Sequence, residues 1–521
     1  MVALSRGAAL VGVDARLVEV EVEFAPGLPI LSLIGLGDAA VQEARYRIQS
    51  ALRATGLDLP HKKITINLAP ADLRKDGSGL DLPMALGILA AMGVIDPARC
   101  LRLVSAAELA LSGALRPIRG ALSIAAMAKA VGAEMVILPA ESAEEATLLD
   151  GICVLAPRSL GELLEVLRGN APPPKICAQT PAEPLASAPD LAEVHGQLGA
   201  RRALEIAAAG AHNLLLIGPP GGGKTMLARR VPSILPPLTP SERIETTKIW
   251  SAAGLSQRGG LRMERPFRSP HHTISDVALI GGGAQIRPGE VSLSHRGVLF
   301  LDELPEFRRP ALETLRQPLE DREVFISRAR QAVRFPAAFM LVAAANPCPC
   351  GYRGDAKSRC ACSAEAISKY LGRLSGPLLD RIDMTLDVPP VEPERLLGQG
   401  AGEASDQVRA RVFEARERAE RRGGTVNALY SGAEIRRRIR LGDGAEALLL
   451  RAIKNLQLSA RVVDRTLKVA QTITDLAGRE EVTLEAIAEA LRYRPPLGAH
   501  QAGVDSAVLA PPRADDLTQS V

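Results

Sequence analysis

The chain has 521 residues, 47% hydrophobic and 23% charged, with a formal net charge of +4; at about 100–200 residues per domain it should fold as three or more domains rather than one core. Aromatic residues make up only 3%, which excludes an aromatic-rich stacking platform for single-stranded nucleic acid and leaves phosphate contacts as the means of any DNA grip. The small net charge neither demands nor excludes a polyanionic partner, so local patches must decide. The first residues, MVALSRGAALVGVDARLVEVEVEF, reach an acidic residue by Asp14 and lack a long apolar core with a cleavage site, so no secretory signal is expected. The longest apolar run, 84 to 95, lies between Asp81 and Asp96 and falls short of the ~20 residues that cross a bilayer. The expectation is a cytoplasmic protein without a membrane partner.

Residues 1–168 alternate strand patterns (Leu17 to Phe24, Lys63 to Leu68, Val136 to Leu138) with alanine-rich helices (39 to 54, 81 to 93, 120 to 132), an α/β arrangement. Residues 169–190, rich in Pro, Ala and Ser, read as a semi-rigid linker. A second α/β region spans 191–390, an arginine-rich helical region 391–495, and the tail 496–521 has the composition of a disordered segment.

The run NLLLIG, 213 to 218, leads directly into GPPGGGKT and the helix pattern MLARRV, a phosphate-binding loop in its required place between strand and helix. Gly218, Pro219 and Pro220 open it. Gly221, Gly222 and Gly223 let backbone N–H groups wrap phosphates, Lys224 neutralises the β and γ oxygens, and Thr225 offers a hydroxyl to Mg²⁺. GVLFLDEL, 297 to 304, is a buried parallel-strand pattern ending in Asp302, placed to hold Mg²⁺, and Glu303, placed to polarise the attacking water.

These two motifs resemble those of the AAA+ ATPases, which hydrolyse ATP at the boundary between neighbouring subunits. The resemblance implies a polar sensor after a third strand, and FMLVAAANPC supplies Asn346. It implies an arginine that reaches the neighbour's γ-phosphate: Arg381 in SGPLLDRIDM, with an ion pair to its own Asp380 and Asp383 as the competing role and Arg373 as the substitute. It also implies a second sensor helix in 459 to 478, with Arg461 turned to the γ-phosphate, Arg465 as substitute, and a solvated helix face as the alternative.

RPFRSPHHTIS at 265 to 275, the block at 281 to 307 and AAANPCPCG at 343 to 351 resemble the magnesium-chelatase-like clade, and the amino-terminal region resembles that of its ComM/YifB family. The resemblance spans about 5 to 495. It implies a Lon-like (ribosomal protein S5-like) α/β domain, an AAA+ parallel-sheet core and a helical lid. It further implies a hexameric, ATP-driven DNA helicase that promotes branch migration in natural transformation. The rival is a chelatase-type motor that remodels a protein partner, against which the Lon-like domain is set. EVFISRARQAVRFPAAFM, 323 to 340, has the alternation of a β-hairpin. Arg328 and Arg330 at its tip would meet DNA phosphates in a pore, or pair with acidic residues between subunits. His271 and His272 could be metal ligands or an intersubunit contact, but neighbouring histidines on a loop are more often hydrogen-bonded structure, and no catalytic role is assigned to them.

Cys348, Cys350, Cys360 and Cys362 form two C-x-C pairs able to give four thiolates to one structural Zn²⁺; free thiols and a redox switch are the alternatives. Cys100, Cys153 and Cys177 are scattered and expected to be inert.

The stretch KDGSGLDLPM, 75 to 84, resembles the active-site loop of Lon proteases, in which a lysine activates a serine. The loop is shorter than that pattern, so Gly79 or Leu80 falls at the nucleophile position, and Leu122 falls where the general-base lysine should stand. No protease activity is expected; Ser78 should instead cap the helix 81 to 93, aided by Asp81.

Overall fold

The computed structural model describes residues 2–35, 37–75, 77–174, 189–255, 261–283, 286–328, 331–353, 360–389 and 402–493. Most of the linker, the tail and the start of the lid region expected from the sequence lie outside these residues, as do Arg330 and Cys177.

In the run LVEVEVEF, Val18, Val20 and Val22 are fully buried while Glu19 and Glu23 face outward, so the alternation does place one face on a core. The strand Asp14–Ala25 pairs antiparallel with Val2–Val11 and Lys63–Ala69, and Leu31–Ile34 runs parallel to the latter at the edge. The strand Val2–Val11 was not read from the sequence. Helix Asp81–Ala91 is buried on every side across this sheet. Gly87 permits the close approach, since a β-carbon there would stand 2.8 Å from Val22 Cγ2. A smaller parallel sheet follows, Leu103–Ser105, Met135–Ile137 and Cys153–Leu155.

Ser78 does not cap the helix. One 3₁₀ turn, Ser78–Leu80, stands between it and Asp81, and its hydroxyl donates to Glu108, which also takes Arg116 at 3.1 Å. Lys75 is buried and donates to the Pro70 carbonyl, with burial lowering its pKa, so no lysine–serine dyad is assembled. Leu122 is fully buried where a general base would stand. Asp81 is buried and paired with Arg47 at 2.6 and 2.9 Å, and it accepts the Leu109 N–H at 3.1 Å.

The second α/β region is a five-stranded, all-parallel sheet in the order Phe267–Arg268, Val298–Leu301, Met340–Ala345, Leu214–Ile217, Met384–Asp387. Its middle strands are runs of buried apolar residues, as a sheet covered on both faces requires. The hairpin is present as Glu323–Arg328 and Gln331–Pro336, with Arg328 opposite Gln331 at the end of the ladder. At its base Val324, Val333 and Phe335 share a core with Val13 from the first turn of the chain. Asp14 to Lys248 at 3.4 Å, and Ser251 donating to Glu145 at 2.6 Å, complete this joint between the amino-terminal domain and the sheet domain.

The carboxyl-terminal region is helical: Ser405–Gly423, Gly432–Arg438, Ala445–Leu456, Ala460–Leu476 and Leu484–Arg492. Buried Asp475 ties two of these helices by a bidentate bond from Arg422, at 2.7 and 2.6 Å, and by Asn427 at 2.7 Å. Among the described residues no helix is long and apolar enough to cross a membrane.

Burial pushes the Asp81 carboxyl above its ordinary range, against the pull of Arg47. Removing only the arginine leaves that carboxylate without its partner. Arg47→Ala should therefore destabilise the protein by about 3–5 kcal/mol, read from its chemical-denaturation midpoint; an unmoved midpoint would mean that Asp81 finds another partner.

Candidate nucleotide site and four-cysteine cluster

Strand Leu214–Ile217 ends at Gly218, where a β-carbon would stand 2.2 Å from the Val388 carbonyl oxygen, so the loop leaves the sheet tightly against its neighbour. Gly221 and Gly223 have φ of 77° and 82°, which glycine adopts without strain, and Gly223 caps helix Lys224–Arg229. Lys224 is buried and donates to the carbonyls of Gly218 at 2.6 Å and Pro219 at 2.9 Å, and to Asn346 Oδ1 at 3.2 Å. Burial lowers its pKa, opposed by the charges of Asp302 and Glu303.

Thr225 donates to Asp302 Oδ2 at 2.6 Å. Asp302 and Asn346 leave the ends of the two strands next in order, so Gly218, Asn346 and Asp302 emerge side by side at one edge of the parallel sheet. Glu303 has φ of 53°, a left-handed conformation costing a non-glycine residue on the order of 1–3 kcal/mol, and its N–H donates to Asp302 Oδ1 at 3.0 Å.

Two contributors were missed in the sequence. His272 Nδ1 lies 3.7 Å from Glu303 Oε2, with its ring 4.1 Å from that of His271 and edge-on to Phe307 at 6.4 Å. The doubled histidine is the sequence signal at this position, and by itself it reads as loop structure. Gln197 donates to the Pro389 carbonyl at 2.7 Å and the Gly222 carbonyl at 3.4 Å, bracing the phosphate-binding loop from a segment without a recognised motif.

The arginines lie elsewhere. Arg381 does not pair with its flanking aspartates; it pairs with Glu320 and donates to the Pro377 carbonyl at 2.7 Å. Arg373 is held by Glu306 at 2.8 Å. Arg461 contacts Asp380 at 3.3 Å, and Arg465 reaches the carbonyls of Ile382 at 2.9 Å and Leu379 at 3.2 Å. Arg381, Arg461 and Arg465 thus line one cleft together with Asn213. Asn213 precedes strand Leu214–Ile217 and Gly218 follows it, so this cleft and the chain's own phosphate-binding loop lie at opposite ends of a strand roughly 13 Å long at about 3.3 Å per residue. Within one chain Arg461 therefore stands at the other end of the strand from the phosphate-binding loop.

Cys348, Cys350, Cys360 and Cys362 are brought together, with all four sulfurs within 4.8 Å of one another. Sγ separations are 3.3 Å for Cys348–Cys350, 3.7 Å for Cys348–Cys360 and 3.6 Å for Cys350–Cys360. A backbone N–H from Tyr352 and the Cys348 thiol lower the Cys350 thiol to about 6. Cys100 is buried and its thiol pushed up to about 11 by that burial, an inert state, whereas Cys153 is exposed.

The comparisons follow the same division of the chain. A family described as magnesium chelatase, subunit ChlI, matches residues 190–396. One described as subunit ChlI of Mg-chelatase matches 20–142, and the subunit ChlI C-terminal family matches 402–494. The uncharacterized protein YifB of Salmonella typhimurium is 43% identical over 488 residues, 93% of this chain and 96% of that protein. The competence protein ComM of Haemophilus influenzae is 43% identical over 492 residues with the same coverage. The chain belongs to the ComM/YifB family. In this family the magnesium-chelatase-like AAA+ core follows a Lon-like domain, and here that domain is 31% identical to Lon protease 2 of Bacillus subtilis over 127 residues, 24% of this chain and 22% of that one.

Gly218→Ala would drive a methyl group into the Val388 carbonyl. A loss of about 1–3 kcal/mol is expected, read as a lower unfolding midpoint; an unchanged midpoint would show that the end of the neighbouring strand can retreat.

Proposed function

We propose that this protein is a ring-forming, ATP-hydrolysing motor that moves along DNA in the cytoplasm, promoting branch migration during homologous recombination in natural transformation. The observation that carries the ATPase part is the convergence of Lys224, Thr225, Asp302 and Asn346 at one sheet edge. The DNA part is supported by the likeness to a competence protein over 93% of the chain, and by a β-hairpin whose sequence carries Arg328 and Arg330.

Backbone N–H groups of Gly221 to Gly223 receive phosphate oxygens, and Lys224 exchanges its carbonyl partners for the β and γ oxygens. Thr225 and Asp302 are hard oxygen donors 2.6 Å apart, a pair that fits Mg²⁺ directly or through water. Bound Mg²⁺ supplies positive charge to the β- and γ-phosphate oxygens. Glu303, with His272 beside it at 3.7 Å, takes the proton of the attacking water, while Asn346 orients the γ-phosphate side. Arg381, at the far end of the strand, serves the nucleotide of a neighbouring copy in a homo-oligomer, a hexamer by family resemblance, and Arg461 belongs with it in that boundary.

Four thiolates at about 2.3 Å from one tetrahedral zinc lie about 3.8 Å apart. The separations of 3.3 to 3.7 Å fit that geometry and support a structural Zn²⁺ at Cys348, Cys350, Cys360 and Cys362.

A chelatase-type motor acting on a protein partner is the second reading, favoured by three matching segments that carry the chelatase subunit's name. One of them covers 20–142, so the amino-terminal domain does not separate the two readings.

Lys224→Ala should lose ATP binding. Glu303→Gln should keep binding while hydrolysis falls by at least about 100-fold; wild-type turnover in that variant would remove Glu303 from its role. Steady-state hydrolysis, measured alone and with single-stranded, duplex and branched DNA, should rise most with a branch and fade with salt. Robust hydrolysis indifferent to every DNA would put the protein-client reading first.

A further inference from the structure

The loop bearing the four cysteines begins at the nucleotide-site edge of the sheet. Asn346 leaves strand Met340–Ala345, and Cys348 is buried two residues later. Gly351 then turns back with φ of 84°, its N–H donating to the Cys348 carbonyl at 3.0 Å. A methyl group on Gly351 would stand 2.6 Å from Pro220 Cδ and 3.8 Å from Asn346 Cγ. The turn closed by the thiols therefore rests on the phosphate-binding loop itself. On its far side, Cys362 is followed by Ser363, whose hydroxyl accepts the Ala366 N–H at 3.2 Å and caps helix Ala364–Leu371. On that helix Tyr370 is buried. The loop thus begins at Asn346, which accepts from Lys224, and its Gly351 turn bears on both Pro220 and Asn346.

We propose that the four-cysteine loop is a metal-dependent brace of the phosphate-binding loop, so that Zn²⁺ occupancy and ATP binding strengthen each other by one common factor. The inference rests on the zinc and ATP readings above and adds the coupling between them. Four sulfurs held within 4.8 Å of one another need a cation to stay there as thiolates. Without it the turn opens, Gly351 leaves Pro220, and ordering Asn346 and the phosphate-binding loop consumes part of the nucleotide's binding free energy. Linkage then requires reciprocity: if the metal tightens nucleotide, nucleotide tightens metal equally.

The test uses the full-length chain under reducing conditions, with zinc content determined first by atomic emission. Affinity for a non-hydrolysable fluorescent ATP analogue with Mg²⁺ is measured on zinc-loaded protein, on protein stripped by a chelator, and after zinc is restored. Stripping should weaken binding by at least about fivefold, and restoration should recover it. Competition with a chromogenic chelator should show zinc affinity raised by the same factor when the analogue is saturating. Gly351→Ala keeps all four thiols yet pushes the turn off Pro220; it should weaken nucleotide binding at full zinc content, and so tests the brace even if stripped protein unfolds. Equal nucleotide affinity in loaded, stripped and Gly351→Ala proteins would overturn the coupling alone. Protein that neither contains nor binds zinc would overturn the metal site and the coupling with it. Loaded protein that binds no nucleotide would overturn the ATP reading instead.

Discussion

Asn213 fixes the register on which the rest of the nucleotide-binding region is built. Its Oδ1 accepts the Leu341 N–H at 2.9 Å, its Nδ2 donates to the Arg381 carbonyl at 2.8 Å, and its own N–H reaches Asp383 Oδ2 at 3.0 Å. One side chain thereby joins the entrances of three neighbouring parallel strands. With their entrances aligned, Gly218, Asn346 and the strand that follows Arg381 are set by strand length alone. Next to it, buried His212 meets Thr472 at 2.8 Å and Asp383 at 3.6 Å, so the same pin reaches a lid helix.

The opposite edge is organised by local polar cost. Lys224 is buried with carbonyl oxygens as its partners, an arrangement that keeps an ammonium satisfied and close to where phosphates would sit. Glu303 holds a strained backbone beside Asp302, and the strain persists because a buried strand on one side and the turn Leu304–Glu306 on the other fix both of its neighbours.

The sequence revealed those features whose chemistry is carried by the backbone. The phosphate-binding loop was legible because glycines at fixed spacing, a strand before and a helix after leave little freedom, and LVEVEVEF declared its buried face by alternation. The cysteine cluster was legible as composition, although its seat against Pro220 was not, because that contact depends on a glycine turn. The place of Arg461 at the far end of the strand was not legible, because packing between regions decides the direction of its helix and motif spacing does not encode that. Ser78 was misread for a smaller reason: a single 3₁₀ turn moved it one step away from the helix start and gave it to Glu108. His272 was passed over because its partner, Glu303, is distant in sequence and meets it only in the folded sheet.

The joint between the first turn and the hairpin also bears on how the chain is made. Gly12 packs against Val333, with a β-carbon there only 2.6 Å from Val333 Cγ1, and Val13 is buried in the hairpin's core. During synthesis the amino-terminal sheet is complete long before the hairpin emerges from the ribosome, on the order of tens of seconds at ~5–20 residues per second. For that interval an apolar turn is uncovered on a nascent chain that is otherwise folded at its front, so the first part of the protein to be finished is the one that must wait for shelter.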